Sequence, residues 1–250
     1  AQPSVVAVYL DHRRQWISTE IPDAQAHSAR FLTSLGMTTI RNQQAAIEWG
    51  VARIRADQVW ASLNISGTGT VVAGMDTGVD WLHPALQANY RGYHAHGPAN
   101  HTYSWYDATG GGALYPVDGH GHGTHTLGTA VGQGGIGVAP GAQWIAVKAL
   151  DNEGYGYDSW IHEGFQWLLA PGGDPASVPD VVNCSWGNGN GFLTTFQADL
   201  QALRAAGILG VFSAGNSGPG EGMVHSPASL PEAFAVGATD SSEQVAYFSS

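Results

Sequence analysis

Short apolar runs of strand length alternate with longer stretches of helical periodicity over most of this 250-residue chain. Apolar side chains repeat at helical spacing after Asp158, which can cap a helix that Pro171-Gly172 ends. A second amphipathic helix spans residues 194–206 and is closed by Gly207. The predicted strands are residues 71–75, 144–150, 180–187, 208–212 and 234–236. Strands that alternate with helices predict an α/β domain whose mostly parallel sheet is joined by right-handed crossovers.

Polar residues follow several of these strands at the point where the strand ends. Asp76, Ser185 and Asn216 each come after an apolar run. Open α/β sheets place their ligand crevice at the carboxyl edge of the strands. We therefore expect these side chains to line one cleft.

Residues 118–125 read Asp-Gly-His-Gly-His-Gly-Thr-His, and Leu127, Ala130 and Val131 follow at helical spacing. The histidines are therefore expected near a helix N-terminus, with glycines that let backbone or substrate approach closely. Imidazole exchanges protons near neutral pH, which suits one histidine acting as a general base. A zinc site on several histidines, or a structural glycine-rich turn, would also fit this stretch alone.

Asp76 and Asn216 each have a structural and a catalytic interpretation. A carboxylate beside an imidazole fixes the tautomer of the ring and stabilises the imidazolium. An isolated Asp-Thr-Gly is more often an Asx turn, and an Asn in a glycine-rich loop is often a left-handed turn residue. The Asn216 amide could also donate to a developing oxyanion. Glycines at 187 and 215 leave bare backbone edges that would suit an extended peptide.

These segments, taken in order, resemble the subtilisin family of serine endopeptidases from residue 49 to residue 250. The matching motifs are Asp76-Thr-Gly, His122-Gly-Thr-His, Asn183-x-Ser185-x-Gly187 and Ala214-Gly-Asn216. The order of acid and then base agrees with the triad order of subtilisin. The resemblance implies a three-layer subtilisin-like domain and peptide-bond hydrolysis through an acyl-enzyme.

The resemblance also implies a role for individual residues. Asp76 would be the orienting carboxylate, His122 the general base and then acid, and Asn216 the oxyanion donor, with His120 and His125 in support. Substrate-binding residues would flank the pocket for the residue before the cut, pair with the substrate as an added strand, or lie near a more distant apolar subsite. In that order they are Ser185, Trp186, Gly187, Ser213, Ala214 and Gly215; Gly154, Tyr155 and Gly156; and Leu150 with Ile161.

The sequence departs from the family at the nucleophile. The family carries its serine in Gly-Thr-Ser, and no Gly-Thr-Ser occurs in this sequence. Ser249 and Ser250 follow Ala-Tyr-Phe and match a different family segment. We therefore expect a domain incomplete at its C-terminus, with the serine on a segment or second chain beyond residue 250. The alternative is a fragment or pseudoenzyme without activity.

The N-terminal part is expected to belong to a precursor. Residues 3–17 contain a β-rich run, 5–10, and resemble the closing strand of the inhibitory prosegment of the family. Residues 1–17 are accordingly interpreted as the end of a prosegment, residues 18–48 as a linker with a short helix near 24–35, and residues 49–250 as the catalytic part. The alternative is an extra strand that stays in place.

The charge, the cysteine content and the apolar stretches of the chain limit the partners and site types to be expected. The 20 acidic and 9 basic residues give a net charge of −11, which does not favour nucleic acid or an anionic membrane surface. Cys184 stands alone, so neither a disulfide framework nor a cysteine metal site is expected. No apolar stretch is long enough to cross a membrane, and no signal-peptide pattern opens the chain.

The resemblance also implies where the protein acts and whether it needs a cofactor. Two functions other than peptide hydrolysis are also consistent with the sequence. A secreted enzyme that needs no cofactor and takes protein or peptide substrates is implied. Calcium is a possible ligand because the family often binds it in a loop before residues 137–140. Here that loop, residues 132–136, is short and has no carboxylate or Asn, so no calcium site is assigned. A zinc hydrolase built on the histidines and a non-catalytic peptide-binding module are the rival functions.

Overall fold

The computed structural model describes residues 10–17, 47–189 and 191–250. The strands are β1 (Arg13–Gln15), β2 (Val71–Asp76), β3 (Trp105–Asp107), β4 (Gln143–Lys148), β5 (Tyr155–Tyr157), β6 (Val181–Cys184), β7 (Leu209–Ser213) and β8 (Phe234–Val236). The α-helices are α1 (Trp49–Arg53), α2 (Ala56–Leu63), α3 (His122–Val131), α4 (Asp158–Leu168) and α5 (Gln197–Ala205). Short 3-10 turns span Gln87–Asn89, Pro171–Gly173 and Pro175–Ser177.

A six-stranded sheet in the order β3-β4-β2-β6-β7-β8 forms the centre, and every neighbouring pair in it is parallel. Strands β1 and β5 form a separate antiparallel pair. Because β2 lies inside the sheet and ends at Asp76, that carboxylate stands at the middle of the carboxyl edge. The predicted parallel α/β sheet is confirmed.

Each face of the sheet carries its own apolar core, as alternation along the strands requires. On one face Met75 and Val147 pack in a cluster with residues of α4 and α5, including Phe165 and Leu203. On the other face the apolar residues of β2 and β4 pack with those of α3: Val72, Trp144, Leu127 and Val131. Helices on both faces of one sheet give the predicted three-layer arrangement.

Between residues 71 and 236, the predicted strands and helices occur, with boundaries that differ by a few residues. The prediction that Asp158 caps α4 is wrong. Tyr157 is the N-cap residue and makes no side-chain cap, and Asp158 is the first helical residue. Its carboxylate accepts from Nε and Nη2 of Arg14, both at 3.0 Å. The Asp158 side chain thus joins two distant parts of the chain instead of closing the helix end.

Several segments were not predicted, or lie outside the described residues. Helices α1 and α2 and the edge strand β3 were missed. The predicted helix near 24–35 and nearly all of the predicted strand at 5–10 lie outside the described residues. Within residues 10–17, 47–189 and 191–250, no helix combines the length and the apolarity needed to cross a bilayer.

Candidate active site

A buried carboxylate and a histidine meet at the carboxyl edge of the sheet. Asp76 ends β2 with 2% of its side chain exposed, and His122 is the first residue of α3. The Nδ1 atom of His122 lies 2.7 Å from Oδ1 and 2.9 Å from Oδ2 of Asp76. The Asp76–His122 dyad predicted from two separate motifs is therefore formed.

The dyad favours the protonated form of the imidazole. Burial lowers the pKa of His122, but the hydrogen bond that His122 donates to Asp76 and the charges of Asp76 and Asp118 outweigh this effect, so the pKa lies above the ordinary value. Asp76 Oδ1 also accepts from the Thr77 N–H at 2.7 Å. The carboxylate is thus held by its own backbone and offers both oxygens to His122, which is the arrangement that orients a general base.

Glycine is required where α3 meets the end of β2. A β-carbon at Gly123 would lie 2.1 Å from the Gly78 carbonyl oxygen and 3.1 Å from Cβ of Asp76. Gly78 has φ +106°, and a β-carbon there would lie 1.8 Å from the Val117 carbonyl oxygen. These close approaches let the first turn of α3 lie directly against the Asp76 loop, which brings His122 to the carboxylate.

Asp118 holds this junction together, and the sequence interpretation gave it no role. Its Oδ1 accepts from Thr77 Oγ1 (2.9 Å) and from the N–H groups of His120 and Gly121, and its Oδ2 accepts from the N–H and hydroxyl of Thr124. Burial raises the pKa of Asp118, but these hydrogen bonds outweigh it and lower the pKa overall. Asp76, His122 and Asp118 are called the dyad wall below.

One small cavity brings together most of the predicted pocket residues. Its volume is about 110 Å³, and His122 and Asn216 both line it. The other lining residues are Ser185, Trp186, Gly187, Ser213 and Gly215, together with Trp16, Ile17 and His225. Ala214 is buried beneath the cavity, where its carbonyl accepts from the His225 N–H at 2.8 Å. The cleft expected at the carboxyl edge of the strands is therefore present.

The edge predicted to pair with substrate is occupied by the chain itself. β1 pairs antiparallel with β5, with Arg14 opposite Gly156 and Gln15 opposite Tyr155. The N–H groups of Trp16 and Ile17 donate to the Gly154 carbonyl at 3.0 and 3.2 Å. Across the cleft, the Gly187 N–H donates to the Trp16 carbonyl at 3.1 Å. Residues 10–17, the docked segment, therefore lie between two backbone edges as an extended peptide would.

The side chain of Trp16 enters an aromatic site. Its ring centroid lies 5.4 Å from that of Trp186 and 5.7 Å from that of Phe196, and Phe165 packs behind both. Its Nε1–H donates to the Gly156 carbonyl at 3.1 Å. Leu150 and Ile161 are fully buried in the same cluster. Trp186, Phe196 and Phe165 are called the aromatic wall.

The histidines of residues 118–125 do not converge on one point. The ring centroids of His120 and His122 are 6.1 Å apart, and His125 lines a different cavity, of about 1000 Å³. Among the residues that the structure describes, no three His, Cys, Asp or Glu side chains group as metal ligands would. This donor geometry does not fit the zinc interpretation.

His225 is a second cavity residue that the sequence interpretation missed. It is 8% exposed, and its Nε2 lies 2.7 Å from Ser217 Oγ. No motif surrounds it in the chain, since Val-His-Ser-Pro reads as an ordinary loop. Only its contacts with the Gly187 and Gly215 loops mark it as part of the site.

Comparison with known proteins agrees with this site. Residues 67–250 match the model of the Subtilase family. The chain is 47% identical to bacillopeptidase F of Bacillus subtilis (strain 168) over 219 residues, which cover 81% of this chain and 15% of that protein. It is 34% identical to subtilisin E of the same strain over 212 residues, covering 82% of this chain and 50% of the relative.

A third relative is subtilisin Savinase of Lederbergia lenta, 35% identical over 208 residues, which cover 82% of this chain and 68% of the relative. The chain thus spans about half the length of subtilisin E and a smaller part of bacillopeptidase F. The match begins just before β2 and takes in the whole central sheet, both residues of the dyad and the residues that line the cavity, apart from Trp16 and Ile17. The chain belongs to the subtilase family.

Proposed function

We propose that this chain forms the substrate-binding and proton-transfer part of a serine endopeptidase. The observation that carries the proposal is the contact of His122 Nδ1 with both oxygens of the buried Asp76, on a cavity that Asn216 also lines. A histidine held in this way is the general base of an acyl-enzyme mechanism.

The roles of the three residues follow from their atoms. The N–H at Nδ1 of His122 donates to Asp76, which leaves Nε2 to accept the proton of a serine hydroxyl and later to return it to the leaving amine. Asp76 stabilises the imidazolium while it exists. The Asn216 amide donates to the oxyanion of the tetrahedral intermediate. The mechanism needs no cofactor, and no calcium site is part of the proposal.

Peptides and proteins are the proposed substrates. The carbonyl of Gly154 and the N–H of Gly187 are among the backbone groups that hold the docked segment, and a substrate strand would use the same groups. Ser185, Trp186, Gly187, Ser213, Ala214 and Gly215 would flank the side chain before the cut, and the aromatic wall would receive a side chain farther upstream.

The nucleophile is proposed to come from a segment outside these 250 residues. Ser249 Oγ accepts from the Ala238 N–H and Ser250 Oγ from the Ser217 N–H, so both hydroxyls have structural partners. On strand β8, Phe234 and Val236 are 58% and 45% exposed, although strands of a parallel sheet are normally covered on both faces. A C-terminal remainder of the protease, in the same or a second chain, would cover these side chains and bring the serine to His122.

Residues 1–17 are proposed to be the end of an inhibitory prosegment, residues 18–48 its linker, and residues 49–250 the catalytic part. The support is that the docked segment uses the backbone edges of the cleft and fills the aromatic site with Trp16. We further propose that the enzyme is secreted and acts on neither nucleic acid nor membranes. Detection of the cleaved protein in culture medium would test the location.

Hydrolysis by the purified protein tests the catalytic proposal. Casein or a peptide should be cut by the form that carries the serine segment, cleavage should be blocked by an organophosphorus reagent, and chelators should have no effect. His122→Ala should abolish cleavage. Loss of activity with a chelator would favour the zinc hydrolase, and peptide binding without turnover would favour the binding module.

Mass spectrometry of the active preparation tests the source of the nucleophile. Peptides that contain Gly-Thr-Ser, in the same polypeptide or a companion fragment, are expected. An active single species ending at Ser250 would contradict the proposal.

A further inference from the structure

His225 lies in the cavity beside the dyad with its backbone held on both sides. Its N–H donates to the Ala214 carbonyl at 2.8 Å, and its carbonyl accepts from the Ser229 N–H at 2.9 Å. The side chain is nearly buried. If the cavity receives a substrate side chain, an imidazole fixed this firmly affects which side chain fits.

The His225 side chain packs against glycines from both loops that flank the cavity. A β-carbon at Gly187 would lie 2.9 Å from Cβ of His225, and one at Gly215 would lie 2.5 Å from its Cγ. The side chain therefore bridges the two loops where neither has a side chain of its own. It occupies space that a longer substrate side chain would need.

The polar atoms of the ring already have partners. Nε2 lies 2.7 Å from Ser217 Oγ. Burial lowers the pKa of His225, and a hydrogen bond with the Gly187 backbone opposes this only in part. The ring is therefore neutral at neutral pH. It forms an uncharged wall of the cavity and carries no positive charge that would attract an acidic side chain.

The remaining space is small. The cavity of about 110 Å³ is smaller than an engineered cavity of about 150 Å³ that holds one benzene molecule. A methyl, hydroxymethyl or isopropyl group fits this volume. A phenyl or indole ring does not.

We propose that His225 closes this cavity and limits the residue before the cut to a short side chain such as Ala, Ser or Val. His225 is then a specificity-determining residue. The proposal rests on the proposed endopeptidase function, because the cavity must receive a substrate side chain for its size to matter.

Cleavage of matched peptides tests the proposal in the form of the protein that hydrolyses peptides. Two peptides should differ only in Ala or Phe before the cut, and their kcat/KM values should be compared. The expected preference for Ala is about tenfold or more, the scale of discrimination by hydrophobic pocket size. His225→Gly and His225→Ala should raise kcat/KM for the Phe peptide and reduce or reverse that preference.

Ser217→Ala is the matched control, because it removes the partner of the ring and keeps the ring itself. It should retain the preference for Ala. Equal cleavage of both peptides by the wild type, or an unchanged preference in both His225 variants, would overturn the proposal. A wild-type preference for Glu or Asp that the variants lose would also overturn it, since the ring would then act by its polarity.

A binding measurement separates this proposal from the endopeptidase function. Phenol should stabilise His225→Gly against thermal unfolding and leave the wild type unchanged, because only the variant has space for a ring. Equal effects on both proteins would contradict the cavity assignment whether or not peptides are cut. Absence of hydrolysis together with selective phenol binding would contradict the proposed function alone.

Discussion

The dyad wall and the aromatic wall face the same cleft but are built by different forces. In the dyad wall, short hydrogen bonds accepted by Asp76 and Asp118 and close contacts of glycine fix a polar geometry. In the aromatic wall, ring packing and burial hold Trp16 of the docked segment, with one side-chain hydrogen bond. Under the proposed function, the dyad wall would serve the chemical step and the aromatic wall would serve substrate affinity.

The largest effect is expected in the dyad wall. Asp76→Asn keeps the shape of the side chain but no longer fixes the correct His122 tautomer, so kcat should fall by about 10⁴ with little change in KM. Peptide hydrolysis by the form that carries the serine measures this. Glu153→Gln, at an exposed position near the cleft, is the control and should leave kcat unchanged. A loss below about tenfold in Asp76→Asn would contradict the proposed role.

Asn216 sharpens the comparison because it lines the cavity beside His122 yet belongs to neither wall. Asn216→Ala removes the proposed oxyanion donor, and kcat should fall by about 10² to 10³, the effect measured for the corresponding donor in subtilisin itself. KM should change little, since the donor acts on charge that develops in the transition state. A rise in KM at constant kcat would place Asn216 in substrate binding instead.

Removal of the side chain that packs on the aromatic wall should weaken the binding of the docked segment to the cleft. Trp16→Ala removes a large buried side chain, and burial of such a group is worth about 1.5–3 kcal/mol. The docked segment should therefore bind its cleft about 10- to 100-fold more weakly, and the uncleaved protein should become more active toward added peptides. Gln15→Ala, at an exposed neighbour in β1, is the control. Unchanged activity in Trp16→Ala would contradict an inhibitory role for the segment.

The pH dependence of the dyad wall follows from His122. Only neutral imidazole accepts the serine proton, and the pKa of His122 lies above its ordinary value. Activity should therefore fall by about tenfold for each pH unit below that raised pKa, and the decline on acidification should begin above pH ~6.5. A kcat/KM profile measures this. Full activity retained well below pH 6.5 would contradict the assignment.

A smaller effect is expected behind the aromatic wall, where His162 Nδ1 lies 2.8 Å from Asp199 Oδ2. The hydrogen bond that His162 donates to Asp199 raises the pKa of His162, and burial opposes this rise in part. The His162–Asp199 pair therefore contributes its full stabilisation below the ordinary histidine pKa of ~6.5. This stabilisation is lost as the pH rises through the higher pKa of His162 in the folded state. Because 43% of the His162 side chain is exposed, the effect should stay within the ~0.2–1 kcal/mol of a surface pair.

Urea unfolding of Asp199→Asn tests this contribution. The free energy of unfolding of Asp199→Asn should be lower than that of the wild type at pH 5.5 and equal to it at pH 9. His162→Gln should show the same pH dependence. A loss of the same size at both pH values would assign it to packing instead of to the ion pair.

The pairing of Asp76 with His122 was predictable from sequence because both residues lie in short motifs at strand and helix ends. Asp76 and His122 follow local signals, and the parallel sheet brings their ends together. The role of Asp118 could be traced to the same stretch only through its contacts. A tight backbone turn permits few residue types at each position, so a short sequence motif is enough to predict the local geometry.

The aromatic wall and His225 were not predictable in the same way. Trp16 is 140 residues away from Gly156, the acceptor of its indole N–H, and no local pattern encodes such a contact. Asp158 carries a helix-start signal but pairs with Arg14, because a long-range ion pair outweighed the local cap. The position of His225 depends on the folding of two separate glycine loops around it.

The docked segment belongs to the same polypeptide as the cleft that it fills. A ligand tethered to its own site binds in an intramolecular step whose effective concentration does not depend on the protein concentration, so dilution of the intact chain does not free the cleft. One break between residues 17 and 49 would convert this contact into an ordinary bimolecular one. The cleaved segment would then compete with every other peptide in solution for the same hydrogen bonds and the same aromatic packing. The fraction of the protein with the segment bound would fall on dilution.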